Sequence, residues 1–430
     1  MRTRTILALA CAFFHLSAAC HAEDEWRTWK SAAGTEIEAK LISFEDGQVT
    51  LEKKDGKQLV VKPSQLSEAD QEFLDAMADA DEPEEEPATG VDGIDAEPGS
   101  VSGKIECITD PKWSFHLYLP KDFDASRKWP VCFVMDPGGG SPGTLDRYIP
   151  AADQLGIILA VSVESKNDFP DSDLAMMAMA VDVYARLPVI GELAIASGMS
   201  GGSRMAYLLA EMDENVSGVL ACGSGGGVYI KEKDFRPAKL RRDTVICSLI
   251  GTNDFNRCEA VESHQGYDKS ARLIWFVGNH DWAGPDLITD GMAEVYGKML
   301  MNSKSKDLDA LREGFSKTQL AWAKGQQEKD PWVTYHWAEF LTDFPGDAAV
   351  QKEAATLTAT LSKAPEVVQA IAAEKAIRDF ANKYFADADS KTDSQEDASR
   401  DKEALKQRAK FEGLPQAEIL DRMGKPSPPP

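Results

Sequence analysis

Three residues of this chain have the types and the chain order that nucleophilic catalysis needs: Ser200, Asp254 and His280. Ser200 stands in Gly198-Met199-Ser200-Gly201-Gly202, between an apolar run at 193–197 and residues 203–206, which read as the opening of a helix. On such a strand-to-helix turn the serine sits on strained backbone with its hydroxyl aimed away from the sheet, and flanking glycines leave room for it. In a chain with 32 glycines the pentapeptide alone would occur by chance in roughly one case in ten. Its partners must therefore decide.

A hydroxyl attacks only after a base takes its proton, and the base needs an acid that fixes its tautomer. Asp254 lies in Gly251-Thr252-Asn253-Asp254-Phe255-Asn256 after an apolar run at 244–251, and His280 lies in Gly278-Asn279-His280-Asp281-Trp282 after the run 271–277. Each follows the carboxyl end of a strand, downstream of the serine, acid first and histidine second. Competitors fail on placement. Asp268 and His264 precede the last strand, Asp281 adjoins His280 and cannot easily reach its ring, and His336 falls in a later helical stretch.

A tetrahedral oxyanion needs N–H donors aimed at it. Gly201, next after the nucleophile, supplies one at the positive end of its helix. The second is expected from Asp136-Pro137-Gly138-Gly139-Gly140-Ser141, where Pro137 has no N–H and the donor is left among Gly138, Gly139 and Gly140. These glycines lack the Gly-Lys-Ser/Thr ending of a phosphate loop. No metal or organic cofactor is expected.

The elements that must position these residues alternate between strand and helix. Strands read at 112–120, 129–135, 157–163, 193–199, 216–222, 244–251 and 271–277, and helices at 148–154 and 171–186, which predicts an α/β fold with a mostly parallel, doubly wound sheet. Met176, Met177 and Met179 read as core packing. Cys132 and Cys247 read as small buried thiols, whereas Cys222 and Cys258 follow two strand ends, so a disulfide between them is one reading.

Taken together, Tyr118-Leu119-Pro120, Asp136-Pro137, Ser200 with Gly201-Gly202-Ser203-Arg204, Ala221-Cys222-Gly223, 251–256 and 278–282 resemble an α/β-hydrolase of the polyhydroxybutyrate-depolymerase and feruloyl-esterase-like branch. The resemblance spans roughly 103–300. It implies a serine hydrolase cleaving carboxylic esters, with Ser200 as nucleophile, His280 as base and acid, and Asp254 as the orienting acid. The connection 223–243 is too short for a large lid, and its cluster of Lys231, Lys233, Arg236, Lys239, Arg241 and Arg242 would attract an anionic or polymeric ester if it bordered the site mouth.

Ahead of this region, apolar residues alternate at Ile37, Ala39 and Leu41, and Asp46-Gly47 and Asp55-Gly56 punctuate short strands at 49–51 and 58–61, as in antiparallel hairpins closing a small β-barrel. A helix at 65–74 follows, with Ser67 as N-cap and Asp70 in its first turn. Arg27, Trp29, Gly34, Ala39, Gly47, Val49, Leu51, Asp55, Gly56, Leu66, Ser67 and Asp70 carry a resemblance to the Src-homology-3-like SLA homology domain. Such domains bind peptides in adaptor proteins; a peptide or envelope ligand is what the resemblance implies here.

The formal net charge of −24 on 430 residues argues against nucleic acid as a partner. Met1-Arg2-Thr3-Arg4 followed by the apolar stretch 6–14 reads as a secretory signal too short to span a bilayer, cleaved after Ala22 or Ala19, or before a lipidated Cys20. The expected organisation is a signal peptide over 1–22, the SH3-like domain over 23–78, an acidic disordered linker over 79–101, the hydrolase over 102–300, a helical extension over 301–385, and a charged disordered tail over 386–430. The expected product is an exported, periplasmic or secreted carboxylesterase. Its alternatives are a serine peptidase of the same fold and a non-catalytic envelope binding protein.

Overall fold

A computed structural model describes residues 26–32, 34–45, 48–67, 69–71, 73–74, 94–229, 235–266, 271–386 and 394–426. The signal, Cys20, most of the acidic linker, Asp46-Gly47, Lys231 and Lys233 lie outside them. The chain divides into two units, 1–87 and 88–430.

In the first unit, strands β1 (Arg27–Lys30), β2 (Glu36–Glu45), β3 (Gln48–Lys53) and β4 (Gln58–Val61) form an antiparallel meander. A register shift between Leu41 and Ser43 bends β2. Past β4 the chain returns to β1: Ser31 bridges Leu66, the Ser67 N–H donates to the Lys30 carbonyl and the Ala32 N–H to that of Gln65. The sheet is thereby closed on itself. Trp29, Ala39, Leu41, Val49, Leu51, Leu66 and Leu74 fill it. Asp70, buried, accepts from the Arg27 guanidinium at 2.7 Å, from the Lys30 N–H at 2.8 Å and from the Ser67 hydroxyl at 2.8 Å. Arg27 in turn lies 3.6 Å over the Phe73 ring, so several of the recognised positions here hold the fold.

The second unit is built on eight strands: β5 (Ile105–Glu106), β6 (Ser114–Tyr118), β7 (Trp129–Met135), β8 (Ile158–Ser162), β9 (Val189–Met199), β10 (Val216–Cys222), β13 (Val245–Gly251) and β14 (Ala271–Phe276). A two-stranded hairpin, β11 (Gly227–Tyr229) and β12 (Phe235–Pro237), fills the connection between β10 and β13. The sheet order is β14-β13-β10-β9-β7-β8-β6-β5, with every strand parallel except β6, which runs antiparallel to both of its neighbours, β8 and β5. This is the α/β-hydrolase arrangement expected. All seven residues of β7 and of β13 are buried, which is why these strands read as unbroken apolar runs: parallel strands are covered on both faces. Pro130, which has no N–H to give a ladder, sits where the β7–β9 register slips.

Helices α1 (Pro142–Leu145) and α2 (Ile149–Leu155) follow β7, α3 (Ser172–Arg186) precedes β9, α4 (Gly201–Met212) follows it, and α5 (Arg257–Gly266) and α6 (Pro285–Asn302) flank β14 in sequence. Met176 and Met179 pack with α4 and one face of the sheet; α2 and α6 cover the other. Beyond α6 come α7 (Asp309–Gly325), α8 (Pro331–Thr342), α9 (Ala348–Leu361) and α10 (Pro365–Tyr384). Phe315, Trp337, Leu341 and Phe344 of this region join the same core as the sheet.

Two expectations are corrected. The stretch 386–430 is not structureless across its described part: α11 (Ser394–Arg408) and α12 (Pro415–Met423) bury Ala404, Leu420 and Met423 against Ile250, Trp275 and Phe385. Its charged composition hid a narrow apolar stripe that only the sheet and α10 make useful. Cys222 and Cys258 form no disulfide. Cys222 instead uses its sulfur locally, accepting the Ala283 N–H at 3.2 Å.

Candidate active site

The strand order changes direction between β7 and β9, and loops at the carboxyl ends of strands on either side of such a switch form a crevice. Ser200 follows β9, the 136–141 loop follows β7, Asp254 follows β13 and His280 follows β14. Ser200 has φ 54° and ψ −117°, one of two non-glycine residues at positive φ among those described. That conformation is costly for a residue with a side chain, and the surrounding packing imposes it. A methyl group on Gly198 would lie 2.5 Å from both the Met135 carbonyl oxygen and Gly202, and one on Gly202 would collide with the same carbonyl. Both glycines are thus required by how closely α4 approaches β7. The Ser203 hydroxyl locks the turn, its one proton shared between the Gly198 and Cys222 carbonyls while the oxygen accepts the Cys222 N–H at 2.9 Å.

Around Ser200 the structure assembles all three residues singled out in the sequence. His280 Nε2 is 2.8 Å from Ser200 Oγ, and His280 Nδ1 is 2.9 and 3.0 Å from the two carboxylate oxygens of Asp254. The Asp254 side chain is fully buried and that of His280 is 17% exposed. A donor further fixes the carboxylate: the Asn256 N–H reaches Asp254 Oδ1 at 2.7 Å, and the Asn256 amide is itself anchored on the Gly223 carbonyl at 2.8 Å. An acceptor-only carboxylate facing Nδ1 keeps the imidazole proton there, which leaves Nε2 able to accept the serine's proton.

One residue at this site escaped the sequence reading. The ring of Phe255 lies over His280 with 4.0 Å between centroids, although Phe255 is 37% exposed. Its position right after the acid was the available signal. The competing histidines are occupied elsewhere. His264, whose protonation burial lowers to about 4, pairs with Ser248 at 2.8 Å, and His336 lies in an ion cluster with Glu294 and Arg272.

The oxyanion donors are only partly as expected. Gly201 opens α4, where helix N–H groups point outward. In contrast, the Gly138 N–H donates to Asp136 Oδ1 at 2.8 Å, that of Gly139 to the Asp136 carbonyl at 3.0 Å and that of Gly140 to the Ser162 carbonyl at 2.9 Å. All three expected donors are consumed by the loop's own turn and by β8. The described part of the basic cluster is held elsewhere. Arg236 is bidentate on Glu211 at 2.5 and 2.7 Å, and Arg241 reaches the Glu214 carbonyl. Glu211 is near the end of α4 away from Ser200, about 15 Å along the helix from Gly201, so Arg236 does not border the site mouth; Lys231 and Lys233 lie outside the described residues.

Among the described residues no group of three or more His, Cys, Asp or Glu side chains could hold a metal ion, and no helix is long and apolar enough to cross a membrane. Residues 20–81, within the N-terminal unit, match the family model of SLA1 homology domain 1. No curated protein matches the chain. Solved structures similar to it include the feruloyl esterase module from Clostridium thermocellum complexed with sinapinate, 12% identical, covering 47% of this chain and 89% of the other with a TM-score of 0.39. A thermostable carboxylesterase from a metagenomic library is 13% identical over 48% of this chain and 91% of its own, with a TM-score of 0.36. A fluorophosphonate-binding serine hydrolase from Staphylococcus aureus is 11% identical over 46% and 99%, with a TM-score of 0.37.

Proposed function

We propose that the protein is a serine hydrolase acting on carboxylic esters, with Ser200, His280 and Asp254 as a catalytic triad. The observation that carries this reading is the continuous chain from Ser200 Oγ through both nitrogens of His280 to a buried Asp254, anchored on a serine at positive φ. In the reaction Ser200 Oγ attacks the ester carbonyl carbon as His280 Nε2 takes its proton. The carbonyl oxygen becomes an oxyanion near the Gly201 N–H, stabilised also by the positive end of α4. Collapse breaks the bond to the alkoxy oxygen, and His280 returns the proton to the departing alcohol. Water then attacks the acyl-enzyme, again through His280, and the carboxylic acid leaves with Ser200 restored. Asp254 holds the imidazole in place through Nδ1.

The test is turnover of p-nitrophenyl and aryl esters by wild type beside Ser200→Ala, with fluorophosphonate labelling of both. Loss of roughly four to six decades in kcat in the variant, and labelling of the wild type alone, are the expected results. Equal inertness of both proteins would overturn the reading in favour of a binding role. Parallel anilides separate esterase from peptidase action.

The leader at 1–22 supports export. Mass spectrometry of the mature chain should find its N-terminus at Glu23 or at Cys20, the latter either free or carrying the added mass of lipid chains, and an intact Met1 would refute export. For the SLA1 homology domain 1 the reading is peptide binding, tested by titrating the protein with a peptide library.

A further inference from the structure

With the N–H groups of Gly138, Gly139 and Gly140 engaged, the second donor to the oxyanion must come from elsewhere, and one side chain lies against the nucleophile's turn. A methyl group built on Gly201 would fall on Asn167 Oδ1, with Asn167 Cγ at 2.8 Å and Nδ2 at 3.2 Å. The carboxamide of Asn167 therefore occupies the space a side chain at position 201 would take. That accounts for the glycine: Gly201 is small because Asn167 is there.

The loop after β8 is fixed at the Asn167 backbone and on both sides of it. The Asn167 N–H donates to the Pro137 carbonyl at 2.9 Å, which ties it to the loop after β7. One residue earlier, the Lys166 N–H donates to the Ser172 hydroxyl at 3.1 Å, and that hydroxyl donates back to the Lys166 carbonyl at 2.6 Å. One residue later, Asp168 is the other non-glycine residue at positive φ, at 58°. Strained backbone on both Ser200 and Asp168 brackets the contact. By contrast, the Asn167 side chain is exposed and makes no hydrogen bond among the described residues. A pinned backbone carrying an unspent amide beside a nucleophile is what a preorganised donor requires.

Resting on the serine hydrolase reading above, we infer that Asn167 is a catalytic residue whose Nδ2–H donates to the ester's carbonyl oxygen as it becomes negative, completing an oxyanion hole with the Gly201 N–H. A half-turn about the terminal torsion exchanges Oδ1 and Nδ2 at the same place without moving the loop. No bond is formed or broken by the amide, and its proton stays on nitrogen.

The experiment compares wild type, Asn167→Ala, Asn167→Asp and Gly201→Ala on a p-nitrophenyl ester, with an alkyl boronic acid as tetrahedral analogue and thermal melts of each protein. Loss of one such donor lowers kcat by roughly 10²–10³-fold. Asn167→Ala should show that fall with KM nearly unchanged, an equal weakening of boronate binding and an unaltered melt. Asn167→Asp, isosteric but without a donor, should be at least as impaired. Gly201→Ala should displace the amide, so that adding Asn167→Ala to it costs much less than the single change does in wild type. An active wild type with an Asn167→Ala variant within threefold of its kcat, or with kcat lost and boronate affinity kept, overturns the inference alone. A wild type that neither turns over esters nor takes a fluorophosphonate overturns the parent reading and this one with it.

Discussion

Replacing Asp254 by asparagine should lower kcat by roughly four decades, and the hydrogen bonds at this position explain why so small a change does so much. Oδ1 of Asp254 accepts from the Asn256 N–H at 2.7 Å and lies 2.9 Å from His280 Nδ1, with Oδ2 at 3.0 Å from the same nitrogen. An asparagine has one acceptor oxygen. It must stay on the Asn256 N–H, because an NH₂ group there would face another donor in a buried site. The NH₂ then takes the Oδ2 place, 3.0 Å from His280 Nδ1, where it repels a ring N–H and favours the tautomer in which Nδ1 accepts. The ring proton moves to Nε2, the nitrogen 2.8 Å from Ser200 Oγ, and the base is lost. Four decades correspond to about 5.5 kcal/mol at ~1.36 kcal/mol per decade. Loss of an ordinary neutral hydrogen bond removes only about 0.5–1.5 kcal/mol, so the size of the effect separates a wrong tautomer from a weakened contact. The assay is steady-state turnover of an activated ester at neutral pH, with thermal melting as the control. A variant within tenfold of wild-type kcat and with an unchanged melt would refute the tautomer reasoning.

Other expectations follow from the same structure. Gly202→Ala should abolish most turnover, by at least about 100-fold, and lower the melting temperature, because its methyl meets the Met135 carbonyl and the elbow must shift; an active, equally stable variant would show that α4 can retreat. Phe255→Ala removes the ring lying 4.0 Å over His280 and should cost roughly threefold to tenfold in kcat, read in the same assay. Burial alone would raise the carboxyl of Glu294, but Arg272, His336 and Lys298 outweigh it and hold it well below the usual carboxylate range. Its stabilising contribution is therefore fully present above about pH 4.3 and is lost as pH falls from there. Glu294→Gln should cost about 3 kcal/mol in urea unfolding at pH 7 and distinctly less at pH 3; an equal cost at both would contradict the ion-cluster account.

What could be read in advance follows a physical division. The strands β7 and β13 were visible because parallel strands covered on both faces leave long apolar runs, and Ser200, Asp254 and His280, which the structure brings within hydrogen-bond distance of one another, each lie just past a strand. The second oxyanion donor was not, since Gly138, Gly139 and Gly140 look free in a sequence and are spent only once the loop turns on Asp136 and rests on β8. Asn167 could not be found by spacing at all: nothing local distinguishes it, and only the approach of two separate loops puts its amide against Gly201. The helices α11 and α12 were hidden by their own surface. Among the described residues the first buries Ala404 in this core and the second Leu420 and Met423, with Ile419 partly buried against it, and a stripe that thin acquires meaning only beside Trp275 and Phe385.

Arg257 gives that last segment a further meaning. One end of its guanidinium donates to the Thr252 carbonyl at 2.6 Å, two residues before Asp254, the other reaches the Lys425 carbonyl at 3.1 Å, and the group lies 4.4 Å over the Phe385 ring. The loop that presents the acid is thus braced by a carbonyl 168 positions beyond Arg257. Anyone grafting this module onto another chain, or trimming it for crystallisation, would meet the consequence at once: a piece ending near Leu300 would keep Ser200, Asp254 and His280 but lose the Lys425 carbonyl that Arg257 joins to the Thr252 end of the Asp254 loop.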